Sequence, residues 1–345
     1  MDTLFGLDYP TWWFLVTGGL FSGYAILDGF DFGAGAWHLF FKSNENRRIA
    51  LNAVGPVWDG NEVWLVIGGG ALFAGFPVVY GTLLSVMYIP FMLFLMALIF
   101  RAIAIEFRGK EPMRWWRRTW DVTYSIASMM LAFLLGVVLG NVLQGFEIGM
   151  DQHYLGDGFF EFLNPYSLLL GATTLTLFMS HGAIFLLLKT DGSLYDQLIK
   201  LQRYGMIAFI VIFSITSVYT LLYIPHLSAH LKENELLFGL PILAFLSIAN
   251  IPRLAHKKKF RHAFVFSSLT ISLLLVLTAI EIYPNVLLST IDPQYNIDIY
   301  AAAASEKTLK IMMFFVAIGG PLVLSYTVFV YKTFWGKVEI DESSY

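Results

Sequence analysis

The chain has 345 residues, of which 57% are hydrophobic and 14% charged, against roughly 25% charged residues in an ordinary soluble domain. Its 31 Phe, 17 Tyr and 9 Trp exclude a solvated, disordered chain, and a formal charge of −3 carries no polyanion-binding signature. The absence of cysteine excludes disulfides, iron–sulfur clusters, c-type haem attachment and thiolate zinc sites.

A helix needs about 20 predominantly apolar residues to cross a bilayer. In chain order, nine stretches meet that length: roughly 10–40, 49–75, 78–107, 119–145, 164–188, 204–224, 236–252, 263–283 and 308–332. The first is long enough to run past the membrane, and 236–252 is the shortest, with Pro241 near one end. Met1 to Tyr9 carries two acids and no basic segment, so the first stretch reads as retained, not as a cleaved leader.

The connections alternate in charge. Lys42, Arg47 and Arg48 follow the first stretch, and Arg108, Lys110, Arg114, Arg117 and Arg118 follow the third. Lys189, Lys200 and Arg203 follow the fifth; Arg253, Lys257, Lys258, Lys259 and Arg261 follow the seventh; Lys332 and Lys337 close the chain. These segments hold 18 of the 22 bases, whereas 146–163 carries four acids and no base. The positive-inside rule then predicts an outer N-terminus and a cytoplasmic C-terminus, which an odd number of spans requires. Trp12 and Trp13 fall at the outer interface, and Trp37, Trp115, Trp116, Trp120 and Trp335 near the inner one. Trp58 and Trp64 break this pattern by lying mid-span.

The same helix carries unusual polarity. Spans one and two contain LDGFDFGAG (27–35) and GPVWDGNEVWL (55–65), in which Asp28 and Asp31, and Asp59 and Glu62, are three residues apart and share a face. At 1.5 Å per residue, Asp28 lies about 18 Å from Phe40 and Asp59 about 16 Å from Arg48, which places both acids near mid-membrane. An ionised Asp there costs roughly 2.5–3.5 kcal/mol on insertion scales, so the group must be protonated, paired or hydrated. Pro56 removes a donor and predicts a kink just before Trp58 and Asp59. Asn61 and Gly68-Gly69-Gly70 imply close helix packing with polar contacts. Arg101 is the only base well inside a span, with Glu106 beyond it and Asp121 at the start of span four. Three readings stay open from the residues alone: neutralised helix–helix contacts around Arg101, a proton-conducting chain from the cytoplasm, or direct metal binding by the four carboxylates.

Other candidates carry less. His181, in TLFMSHGAIF, is the one histidine near the middle of a span and a candidate axial haem ligand, although a lone membrane histidine more often bonds a neighbouring helix. No ExxH pair and no phosphate-binding glycine loop occurs. Spans one to four and five to eight each begin and end outside, which suggests a two-part build with span nine left over.

LDGFDFGAG, GPVWDGNEVWLVIGGGALFAGFP (55–77), FRAIAIEFRG (100–109), GNVLQG (140–145) and HAFVFSSLT (262–270) resemble subunit II of the cytochrome bd-type quinol oxidases. The resemblance covers most of the chain and is strongest over its first 145 residues. It implies an all-α integral membrane protein of about nine spans: a four-helix bundle over 1–145, a second over 146–283, and an outer loop, peripheral ninth helix and cytoplasmic tail over 284–345.

The resemblance implies a terminal oxidase of the bacterial cytoplasmic membrane that oxidises quinol, reduces dioxygen to water and contributes to a proton gradient. Haems b558, b595 and d and the quinol-oxidising loop belong to subunit I, the partner in a heterodimer that can add a small single-helix accessory subunit. This chain would bind no haem, metal or nucleic acid itself. Family proton-pathway acids carry over onto Asp28, Asp59 and Glu106, the last being Asp in some relatives, and Arg101 falls at the matching arginine. Asp31 and Glu62 join the candidate pathway by position, although Glu62 is Gln in some relatives. Trp64 matches a residue at the entrance of an oxygen route in some members, and Trp58 joins it as a candidate for oxygen access or subunit contact. A proton-coupled secondary transporter, or a pure assembly scaffold, is the alternative.

Overall fold

The computed structural model describes residues 3–150, 153–156, 158–228 and 235–340. Asp151 and Asp157, two of the four acids expected in the outer 146–163 connection, lie outside the described residues.

Helix α1 (Tyr9–Trp37) starts where the Asp8 side chain accepts the Thr11 N–H at 2.8 Å, with Pro10 in the first turn, where its missing donor costs nothing. Helix α2 (Asn44–Val54) is capped in the same way by Ser43. The kink expected at Pro56 is a complete break: α2 ends at Val54, and α3 (Trp58–Gly75) begins three residues beyond Gly55. A second break follows. Pro77 forces Phe76 out of the helical region, to φ −133° and ψ 66°, and α4 (Pro77–Val86) leaves α3 at a bend of 118°. Helix α5 (Tyr88–Phe107) then follows a further interruption at Met87. The stretches 49–75 and 78–107 are therefore two helices each.

The remaining long helices are α6 (Arg114–Gln144), α7 (Pro165–Lys189), α8 (Gly192–Tyr223), α9 (Gly239–His256) and α10 (Phe260–Ile282). A single turn, α11 (Ile299–Ala302), precedes α12 (Glu306–Thr333), which Ser305 caps. Among the described residues, seven helices are long and apolar enough to cross a membrane, or eight if the bent α3–α4 pair counts as one span. Helix α1 lies outside that set because its two aspartates and six glycines dilute its apolar character.

Helix α1 nevertheless forms the axis of the molecule, packed on α3, α6, α7, α10 and α12. Every residue from Asp28 to Trp37 is buried. The approach to α7 is closest at Gly33 and Gly182, where an added Cβ would strike the Phe178 carbonyl or the Ala34 nitrogen. Helix α12 lies at the periphery, with Leu309 its one buried residue. Beyond it, Lys337 Nζ donates to the Thr190 carbonyl at 2.7 Å, so the chain end caps the C-terminus of α7 with a cation.

Two short antiparallel pairs, β1 (Thr3–Leu4) with β2 (Leu7–Asp8) and β3 (Asn285–Leu287) with β4 (Ile297–Asp298), close one end of the molecule. Trp13, Phe76, Phe146, Phe162 and Leu287 form an apolar cluster beneath them. The Ala304 N–H reaches the Gly75 carbonyl at 2.9 Å and so ties this end to the α3–α4 bend.

Candidate functional site

The site is organised by one arginine. Arg101 on α5 is completely buried, and its Nη2 stands 2.9 Å from Asp28 Oδ1 and 3.9 Å from Asp31 Oδ2. Its Nη1 donates to Glu62 Oε1 at 2.6 Å. The Nη2–Asp28 contact is a charge pair whose angle is too bent for a hydrogen bond, since neither atom has a hydrogen-bond partner among the described residues. Beneath the guanidinium lies the Phe32 ring, 4.6 Å from its Cζ, with the Trp58 ring at 6.0 Å.

Local structure delivers each of these groups. A three-residue spacing on α1 turns Asp28 and Asp31 toward the same neighbour, and both are fully buried. The break at Gly55-Pro56-Val57 starts α3 anew, so Asn61 and Glu62 lie just past its first turn, facing α1 and α5. Asn61 Nδ2 donates to Asp31 Oδ2 at 2.7 Å and to the Leu27 carbonyl at 3.2 Å. Its Oδ1 accepts the Tyr331 hydroxyl at 3.0 Å. The peripheral helix α12 therefore reaches the buried acids through a single amide.

Not every candidate joins this group. Asp59 is exposed in the first turn of α3, where a carboxylate complements the helix dipole. Positions three apart on a helix differ by about 60° around its axis. Glu62 already sits at the edge of the contact face, with its side chain 22% exposed, so Asp59 falls beyond that edge. Glu106 is half-buried, and five residues from Arg101 set it about 140° around α5. Trp64 packs away from the acids, into the notch that Gly23 leaves on α1; a Cβ there would overlap the indole.

His181 is not placed to ligate a haem. Its Nδ1 lies 2.8 Å from Ser267 Oγ and its Nε2 3.1 Å from the Ile26 carbonyl, while Phe264 stacks on the ring at 4.6 Å. Both nitrogens are thus engaged and one ring face is covered, so these residues do not fit an axial site. Among the described residues no group of three or more His, Asp or Glu side chains could hold a metal ion.

A second buried cluster escaped the sequence reading. Asp121, near the start of α6, binds His38 Nε2 and Arg108 Nε at 2.5 Å each through Oδ1, and Arg47 Nη1 at 2.9 Å through Oδ2. Arg108 Nη2 also donates to Asn44 Oδ1 at 2.7 Å. Between the two clusters stands Tyr124, buried, with its ring edge-on to His38 at 5.1 Å. Arg47 and Arg108 had read only as loop charges that set topology. An acid at Asp121, just past the base-rich 108–118 segment, was the available signal.

Long apolar helices packed around buried, arginine-paired acids define a polytopic membrane protein with an interior built for charge. A family model described as cytochrome bd terminal oxidase subunit II matches residues 9–334, and the chain belongs to that family. It is 30% identical to the cytochrome bd-I ubiquinol oxidase subunit 2 of Escherichia coli K12, over 97% of each chain. It is 32% identical to the cytochrome bd ubiquinol oxidase subunit 2 of Bacillus subtilis 168, over 96% of this chain and 97% of the relative. A chain in the structure of bd oxidase from Geobacillus thermodenitrificans superposes with a TM-score of 0.76 at 20% identity, covering 94% of this chain and 98% of the other, which shows a shared fold. The protein is accordingly a membrane-embedded subunit of a terminal quinol oxidase, an oxidoreductase in which a second subunit is the partner of a first.

Proposed function

We propose that this chain is the haem-free half of the oxidase and carries protons from the cytoplasm toward oxygen chemistry in subunit I, where haems b558, b595 and d reside. The observation that carries the reading is the packing of Asp28, Asp31 and Glu62 around the single base Arg101, with Asp28, Asp31 and Arg101 fully buried and Glu62 at the edge of the group. One guanidinium cannot neutralise three carboxylates, and burying the surplus as bare charge costs several kcal/mol, order of magnitude, per ion. Such a set accepts and releases protons in place of holding charge.

In this reading Glu106, toward the inner end of α5, supplies the cluster from the cytoplasm. Asp59, exposed at the head of α3, passes protons across the boundary to subunit I, and Trp58 and Trp64 flank that boundary on the side where dioxygen enters. Counting α1 and the bent α3–α4 pair with the seven other helices gives nine spans, with the N-terminus outside and the C-terminus in the cytoplasm, as the loop charges favour. The two bundles over 1–145 and 146–283, the bacterial plasma membrane, the quinol substrate and a small single-helix accessory subunit belong to the same proposal.

The test is Asp59→Asn in the assembled oxidase. Oxygen consumption should fall while haem content stays normal; full turnover would remove the pathway. Loss of haem together with the complex would instead favour the assembly-scaffold reading, which the completely buried Arg101–Asp28 pair also supports. Family membership takes the place of the secondary-transporter alternative.

A further inference from the structure

The turn of the α9–α10 hairpin concentrates positive charge. Arg47 and Arg108 share Asp121, Arg101 has Asp28, and Lys337 has Asp191 at 3.2 Å. From Arg253 to Arg261 the chain holds five bases and no acid. Arg253, Lys257, Lys258 and Lys259 are all exposed, and none has an acidic partner among the described residues. Lys258 adopts φ +55°, the left-handed conformation that glycine takes without penalty at a helix end, so the turn keeps a cationic side chain despite a backbone cost. Only Arg261 is engaged, over the Trp335 ring at 5.2 Å.

A groove runs away from this basic turn along the crease between the two helices. Its volume is about 420 Å³, and Leu243, Leu246, Asn250, Arg253, Phe266 and Leu269 line it. The walls are apolar apart from Ser247, whose hydroxyl donates to the Phe266 carbonyl at 2.9 Å, and the end near the turn, where Arg253 and half-buried Asn250 stand one helical turn apart. The ten residues from Leu243 to Arg253 span about 15 Å, half of the roughly 30 Å hydrocarbon core. The groove is therefore as deep as one leaflet, with its cationic end at headgroup level.

Charge complementarity and depth select one occupant. We propose that this groove binds an anionic phospholipid of the inner leaflet, with an acyl chain along Leu243, Leu246, Leu269 and Phe266 and its phosphate on Arg253 and Lys257. Asn250 supplies a polar contact at the level of the glycerol esters. Basic pockets between membrane helices on the cytoplasmic side recognise such headgroups through the same chemistry. The proposal takes only its leaflet from the orientation proposed above and is independent of the proton pathway.

The test is native mass spectrometry of the assembled, delipidated oxidase titrated with phosphatidylglycerol and, in parallel, phosphatidylcholine of identical chains. Phosphatidylglycerol should bind more tightly. Arg253→Gln and Lys257→Gln should each weaken it about fivefold and leave phosphatidylcholine unchanged, as expected for the loss of one cationic contact at the membrane surface. Arg253→Lys should retain the preference, and Ala249→Trp, which fills the groove, should weaken both lipids. Haem bands and oxygen consumption report folding of each variant independently of lipid retention. Equal binding of the two lipids, an unchanged phosphatidylglycerol affinity in the double Gln variant, or a co-purifying polypeptide displaced by Ala249→Trp would overturn the proposal.

Discussion

Arg101 Nη2 and Asp28 Oδ1 stand 2.9 Å apart with both side chains fully shielded from solvent, although the two residues are more than 70 positions apart in sequence. Removing one member of such a pair leaves a charge in a low-dielectric interior with no counter-ion, at a cost of about 3–5 kcal/mol. Arg101→Leu should therefore lower the yield of assembled oxidase and its thermal midpoint. Arg101→Lys should do so less, because an ammonium keeps the charge but cannot reach Asp28 and Glu62 through separate nitrogens. The double variant Arg101→Leu/Asp28→Leu should recover part of the loss, since the penalty lies in the uncompensated charge. Unfolding curves of the three complexes check the order.

Tyr331 reaches the same site from the other end of the chain. Its hydroxyl donates to Asn61 Oδ1 at 3.0 Å and thereby holds the amide with its Nδ2 toward Asp31. Tyr331→Phe frees that amide to turn, for a stability cost of about 1 kcal/mol. Asn61→Leu removes the donor to Asp31 outright and costs about 1–3 kcal/mol through an unsatisfied buried acceptor. Oxygen consumption should fall in both variants, more in Asn61→Leu, at unchanged haem content. Equal turnover in Asn61→Leu and the parent would detach Asn61 from the pathway.

Asp121 concentrates three cationic or imidazole partners on one carboxylate, and Arg108 is only 2% exposed. Asp121→Asn keeps the shape but leaves Arg108 and Arg47 without an anion, so its cost should approach that of breaking the Arg101 pair. The cluster ties the end of α1 to α2, α5 and α6, so the damage should first appear as faster proteolysis around 42–48 and 108–113. Limited digestion of the assembled complex, followed by peptide mass mapping, measures it.

What could be read from the residues follows from range. Apolar runs are local, and they place α6, α7, α10 and α12 within about five residues of the expected spans, whereas α8 starts at Gly192, well before the expected 204, because its first three turns are polar. The acids of α1 and the lone Arg101 were legible because a charge in such a run is conspicuous wherever it pairs. Pro56 and Pro77 carry local signals too, yet whether a proline bends a span or divides it depends on what packs against the freed backbone. The Ala304 N–H at Gly75 comes from 229 residues away, beyond any window of local reasoning. The Tyr331–Asn61 bond joins residues 270 apart, so the link from the peripheral helix to the acids was invisible for the same reason. Asp59 failed as a cluster member because the three-residue spacing leaves about 60° between side chains, and rotation of α3 decides which of the two turns inward.

His181 supplies the sharpest separation between a binding and a packing role. Its two ring nitrogens join α7 to Ser267 on α10 and to the Ile26 carbonyl on α1, and Phe264 stacks against it at 10° between planes. An imidazole with both nitrogens committed to protein atoms cannot also bind iron. His181→Gln, which retains donor and acceptor groups, should assemble with near-normal stability. His181→Leu should cost about 1–3 kcal/mol, because it strands Ser267 Oγ and the Ile26 carbonyl in the interior. Neither substitution should change the number of haems per complex or the positions of their absorption bands, since the side chain acts only through packing. Loss of one haem equivalent from His181→Gln, in a complex whose thermal midpoint is preserved, would instead assign an iron ligand to this chain.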